Sequence, residues 1–236
     1  MKKHETIPCR PPKIFYLRQL GETPSMSATY SETLFEEYCQ ENHIVCTRVS
    51  VSSERSPDFQ IQIGQTLVVC EVKQIDMNES DRKVLAMINS GIPTSFYVVN
   101  RVRSKLKDVS AQLKDAALAG IPTMVVLYNN SPVYDYTGYP EILQAMFGQK
   151  SSNVTFSAHQ DSGPVVSPPF FGGNRGLGPR RNTSVSVVAV LKQDSAGRLQ
   201  LCVYHNPHGK VPLDPAVFSE VAAVQPVVPD TEDVEL

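Results

Sequence analysis

Residues 58–72 constrain this chain more than any other stretch: six alternating residues, Gly64-Gln65, then a nearly unbroken apolar run. Asp58-Phe59-Gln60-Ile61-Gln62-Ile63 has the period-two pattern of a strand with one buried face. Thr66 to Val72 reads as a strand covered on both faces. A two-residue turn at Gly64-Gln65 joins them as a hairpin and pairs Ile63 with Thr66. In that register Asp58 lies opposite Glu71, with their Cβ atoms about 5 Å apart. Lys73, two residues beyond Glu71, projects from the same face.

Two carboxylates placed this way repel each other unless something neutralises them. A hard divalent cation does so through oxygen ligands at about 2.0–2.1 Å, and a neighbouring lysine can then hold or deprotonate a water. That combination is suited to hydrolysing a phosphodiester. A Glu-x-Lys triplet alone means little, since roughly one is expected by chance in a chain this long. Here the triplet sits in the most apolar strand, where unpaired charges do not belong, and the turn independently brings Asp58 across from it.

The rest of the chain agrees with one α/β core. A helix is expected over 28–42, capped by Ser25 or Ser27, with Leu34, Phe35, Tyr38 and Cys39 on one stripe. Strands are expected at 44–51, 94–100 and 121–128, and helices at 79–90 and 103–119, the last closed by Gly120. Residues 149–182 are rich in Ser, Gly and Pro, and two alternating segments at 184–191 and 198–205 form a further hairpin. The expected organisation is an N-terminal extension (1–25), a core (26–148), a flexible loop (149–182), a C-terminal β-hairpin extension (183–215) and a tail (216–236) whose end is disordered. The short apolar piece 14–17 is expected as an edge strand.

Ser56-Pro57-Asp58, twelve residues, then Glu71-Val72-Lys73 resembles the signature of the PD-(D/E)xK nuclease superfamily, which includes restriction endonucleases and Holliday-junction resolvases. The resemblance covers about 28–128. It implies a restriction-endonuclease-like core, a mixed central sheet flanked by helices. It implies Asp58 and Glu71 as metal ligands, the Val72 carbonyl as a third, Lys73 as the catalytic lysine, and Mg2+ as cofactor with Mn2+ as a substitute. Members often add a glutamate from the first helix, for which Glu32 fits and Glu36, one turn later, is the alternative. Some place a glutamine on the helix after the lysine strand, as Gln112 does here. The longer glutamine-tyrosine pattern of the exonuclease branch is absent, because Ala116 stands four residues on.

With 22 basic and 24 acidic residues, a net charge of −2 excludes a chain that coats nucleic acid non-specifically. Contact with nucleic acid must come from local clusters. Arg101, Arg103, Lys105 and Lys107 form one, and Arg175, Arg180 and Arg181 in the Gly-rich loop form another. Cys202, His205 and His208 have zinc-like spacing but no partner cluster. Five scattered cysteines fit a reducing cytoplasm, and no run of about eighteen apolar residues suggests a membrane span. The expected activity is metal-dependent cleavage of nucleic acid, most simply as a DNA endonuclease, with a homodimer as the natural arrangement for double-strand cutting. The alternatives are a catalytically inactive nuclease-fold module for nucleic-acid binding or assembly, and an unrelated α/β protein in which the triad is coincidence.

Overall fold

A computed structural model of the chain describes residues 28–50, 56–92, 99–155, 165–168 and 170–225. It begins with helix α1 (Tyr30–Glu41), whose first turn is capped by the Thr29 hydroxyl accepting from the Glu32 amide. Ser25 and Ser27 lie outside the described residues, as do 14–17, most of the expected strand 94–100, and the tail beyond 225. Four core strands follow: β1 (Val45–Arg48), β2 (Phe59–Ile63), β3 (Thr66–Ile75) and β4 (Thr123–Asn129). Between β3 and β4 come α2 (Glu79–Asn89), α3 (Val99–Asp108) and α4 (Ser110–Leu118).

Two expectations change here. Val99 and Asn100 belong to α3 rather than to a strand. The single helix expected over 103–119 is two, divided at Val109, where the Gln112 amide bonds back three residues to the Val109 carbonyl. The apolar period runs unbroken through Val102, Leu106, Val109 and Leu113, all fully buried, so the pattern alone conceals the division.

Beyond β4 lie α5 (Tyr139–Phe147) and two small ribbons. One pairs β5 (Lys150–Ser151) with β8 (Phe170–Phe171), and the other pairs β6 (Val154–Thr155) with β7 (Val165–Val166). Then come β9 (Val187–Gln193), β10 (Leu199–His205), a 3-10 turn at Pro215–Phe218 and β11 (Ala223–Gln225). The main sheet is mixed, in the order β1-β2-β3-β4-β9-β10-β11. Strands β3, β4 and β9 run parallel, and the β9–β10 hairpin is antiparallel. The hairpin is thus built into the central sheet, because Val187–Leu191 of β9 pair directly with Met124–Tyr128 of β4.

The two faces bury different layers. Val68, Cys70 and Val72 of β3 pack with Leu34, Phe35 and Tyr38 of α1. Val69 and Ile75 pack on the opposite face with Val102 and Leu106 of α3, Leu113 of α4 and Ile142 of α5. Burying each such side chain contributes about 1.5–3 kcal/mol before chain entropy is set against it. Among the described residues no helix is long and apolar enough to cross a membrane.

Residues 170–182 are tied down rather than free. The Gly176 and Leu177 amides donate to the Ala145 and Met146 carbonyls at the end of α5. The Asn182 amide side chain donates to the carbonyls of Leu106 and Gly176, and Leu177 is fully buried. A Cβ at Gly176 would lie 2.3 Å from the Ala145 carbonyl oxygen, so only glycine lets the loop lie this close.

Candidate active site

The β2–β3 hairpin sets the site. Its ladder runs from Ile63↔Thr66 to Phe59↔Cys70, the register that the Gly64-Gln65 turn dictates, and Gly64 takes the left-handed φ of +57° that such a turn needs. Asp58 is next in line, facing Glu71, but the ladder has ended. The Asp58 amide donates to the Cys70 carbonyl at 3.1 Å, and its own carbonyl accepts from Val49 at 2.9 Å. Its Oδ2 then accepts the Val72 amide at 2.8 Å. The carboxylate therefore replaces the strand partner that β2 no longer supplies. In a strand the N–H and C=O of one residue point to the same side, so the Val72 carbonyl also faces the Asp58 side.

Glu71 sits mid-strand in β3 between β2 and β4, and it is 0% exposed. Lys73 Nζ lies 2.5 Å from its Oε1, while Oε2 is buried with no hydrogen-bond partner. Burial is the first cause that pushes the Glu71 carboxyl up to about 7. Lys73 opposes that rise and the Asp58 charge adds to it. Burial likewise raises the Asp58 carboxyl, against the lowering effect of the Val72 amide; Glu32 adds to the rise, and Lys73 and Arg48 oppose it.

Glu32 comes from the other layer. Alternation puts Glu71 and Lys73 on the α3–α5 face, whereas α1 covers the opposite one, so it is the Glu32 charge that reaches Asp58, around the end of β2. There Arg48 ties the arrangement together. It bonds Glu32 Oε2 at 2.5 Å and Glu36 Oε2 at 2.9 Å, and its guanidinium stacks 4.7 Å from the Phe59 ring centroid. Of the two helix glutamates, Glu32 is the less exposed, at 14% against 43%, and it is the one whose charge acts on Asp58. Sequence reasoning missed Arg48. The available signal was the β1–β2 register, which pairs Arg48 with Phe59 next to Asp58.

Gln112 is half-buried on α4, and among the described residues no hydrogen bond or ion pair joins it to Asp58, Glu71 or Lys73. The basic residues also divide. Arg101 is structural, paired with Asp81 and stacked on Tyr136. Burial works to raise the Asp76 carboxyl, but hydrogen bonds from Asn130 and Gln74, and then the charges of Lys105 and Arg101, hold it below its ordinary value. Arg175 holds its own loop through the Phe171 and Gly172 carbonyls, and Arg181 bonds the Arg175 carbonyl. Arg180 is exposed.

No family model matches the chain. No curated protein matches it either. Among solved structures it is similar to SfsA of Pyrococcus furiosus, in complex with Ca2+, at 14% identity and a TM-score of 0.24. The match covers 60% of this chain and 61% of that one, so less than two thirds of that protein is spanned. A likeness of this degree assigns neither family nor activity.

The donor set fits a small hard cation. Among the described residues no three His, Cys, Asp or Glu side chains converge as a ready ligand group. Asp58 and Glu71 are near enough for the Asp58 charge to act on Glu71, Glu71 keeps a buried unsatisfied oxygen, and the Val72 carbonyl faces the Asp58 side. Mg2+ commonly takes one or two carboxylates and keeps several waters, so Asp58, Glu71 and the Val72 carbonyl would hold it.

Proposed function

We propose that this chain is a divalent-metal-dependent nuclease that hydrolyses phosphodiester bonds in nucleic acid, most simply as a DNA endonuclease. The observation that carries this reading is Glu71, a fully buried carboxylate with one unsatisfied oxygen. It faces Asp58 and is held by Lys73. Even with Lys73 on its other oxygen, a carboxylate buried this way carries a desolvation cost of several kcal/mol, which a bound cation would offset. The likeness of Ser56-Pro57-Asp58 and Glu71-Val72-Lys73 to the PD-(D/E)xK signature supports the same reading.

Each residue then has a role. Asp58 and Glu71 fix the cation, with the Val72 amide orienting Asp58 through its 2.8 Å bond. Lys73 positions the attacking water beside Glu71. Glu32, held by Arg48, adds negative charge at the end of β2. When bound, Mg2+ or Mn2+ polarises the phosphoryl group and stabilises the charge that develops on it. Water attacks phosphorus and releases a proton to solvent, the phosphorus–oxygen bond to the departing strand breaks, and that oxygen leaves with a proton from solvent.

A second reading has one observation in its favour: Arg48 and Lys73 already neutralise Glu32 and Glu71. In that case the chain is a non-catalytic nucleic-acid-binding or assembly module. The test incubates plasmid, single-stranded DNA and RNA with the protein and Mg2+, Mn2+ or chelator, beside Asp58→Ala and Lys73→Ala. Metal-dependent cleavage lost in both variants supports the nuclease. Metal-independent binding without cleavage overturns it in favour of the module.

A further inference from the structure

α3 and the glycine-rich loop flank an open cavity of about 350 Å³ lined by Arg103, Ser104, Lys107, Asn174 and Arg181. Three cations and two neutral hydrogen-bonding side chains line it, with no acidic residue among them. Arg103 and Lys107 stand one turn apart on α3, where like charges repel. Among the described residues neither Lys107 nor Arg181 forms an ion pair. Arg103 is buried, donates to the Gln144 carbonyl at 3.5 Å, and desolvation lowers its pKa. A cation in the last turn complements the dipole of α3, which accounts for Lys107 on the helix but not for its convergence with Arg181.

The loop side is equally specified. Asn174 adopts a left-handed φ of +64°, a conformation that asparagine tolerates better than most residues. Arg181 is fixed through the Arg175 carbonyl, and Gly176 presses the loop onto α5. The cations are therefore presented by anchored backbone. A second hollow shares Asn174 and Arg181 and extends the basic surface to Arg180.

We propose that this cavity is a phosphate-binding site, taking a phosphate carried by a nucleotide or at the end of a nucleic-acid strand. Its volume lies at the lower end of small-ligand sites. A terminal phosphate, with close to two negative charges and three acceptor oxygens, matches three converging cations better than a singly charged backbone diester does. The site stands independently of the nuclease reading.

The test is equilibrium binding to the full chain in chelator, so that cleavage plays no part. The probes are inorganic phosphate, adenosine monophosphate, and one single-stranded oligonucleotide bearing either a 5′-phosphate or a 5′-hydroxyl. Lys107→Ala and Arg181→Lys are compared with wild type, and circular dichroism checks their folding. At least one phosphate-bearing probe should bind, and Lys107→Ala should weaken it about tenfold or more. If the oligonucleotide is the source, its 5′-phosphate form should outcompete the hydroxyl form. Should no probe bind, or should folded Lys107→Ala bind as wild type does, the proposal fails, whatever the cleavage assay gives.

Discussion

Lys73 caps a carboxylate that has no contact with water: its Nζ lies 2.5 Å from Glu71 Oε1, and the carboxyl group itself is fully buried. That pair links stability to the candidate chemistry, because neither member can change without exposing the other.

Lys73→Met should therefore destabilise the fold by about 1–3 kcal/mol, the cost of leaving a buried acceptor without its partner. Glu71→Gln, which removes the charge instead, should cost less. Urea midpoints at pH 7.5 measure both. Equal midpoints for Lys73→Met and wild type would show that the pair contributes nothing.

The pH dependence has a definite sign. Burial, ahead of the other causes, holds the Glu71 carboxyl at about 7 against an ordinary 4.5, so between these values the folded chain keeps a proton that the unfolded chain has released. The Glu71 contribution is intact below about 4.5 and is lost as pH rises to about 7. Relative to Glu71→Gln, wild type should thus weaken by about 3 kcal/mol at most. Paired urea titrations from pH 4.5 to pH 8 give the difference, and a flat one refutes the assignment.

Mg2+ should act in the opposite sense. At pH 8 it offsets the repulsion between Asp58 and Glu71, and at a hundredfold excess over its dissociation constant it stabilises by about 2.7 kcal/mol. At pH 5 protonation competes, and the gain in Tm should shrink. Asp58→Asn should abolish it. Thermal melts with and without Mg2+ decide, and an equal gain in Asp58→Asn places the metal elsewhere.

Arg48→Ala removes the cation that neutralises Glu32 and Glu36. The ion pairs are partly exposed, so the loss of stability should stay near 1 kcal/mol. With more uncompensated negative charge beside Asp58, divalent-ion affinity should rise, by several-fold in calorimetric titration. A fall in affinity would mean that Arg48 holds the ligands in place.

Gly176→Ala tests the loop. Its new Cβ must displace the backbone at Ala145, at a cost of about 1–3 kcal/mol. Binding to the phosphate probes should fall with it, while Mg2+ affinity at the hairpin stays unchanged.

Much of the site was legible in the sequence because one turn controls it. Gly64-Gln65 sets the ladder, and the ladder carries Glu71, Lys73 and the approach to Asp58. What escaped was the last step, where Asp58 leaves the ladder to accept from Val72, since alternation says nothing of how a strand ends. Arg48 escaped because an arginine at a strand end looks like solvated surface until its stacking on Phe59 is seen. The pairing of β4 with β9 was invisible for another reason. The segments that pair, Met124–Tyr128 and Val187–Leu191, are apolar runs, and no local pattern states which distant strand lies beside which. Gln112 sits in the helical stretch where it was expected, now α4, yet position on an element did not bring it into a hydrogen bond with the carboxylates.

The insertion of β9 between β4 and β10 also bears on how the molecule is made. Until Val187–Leu191 have left the ribosome, Met124–Tyr128 present an open, wholly apolar strand edge. The hairpin that carries Asp58 and Glu71 is synthesised early but is seated in a finished sheet only late. A nascent chain halted after α5 should therefore be a client for chaperones rather than a smaller folded protein.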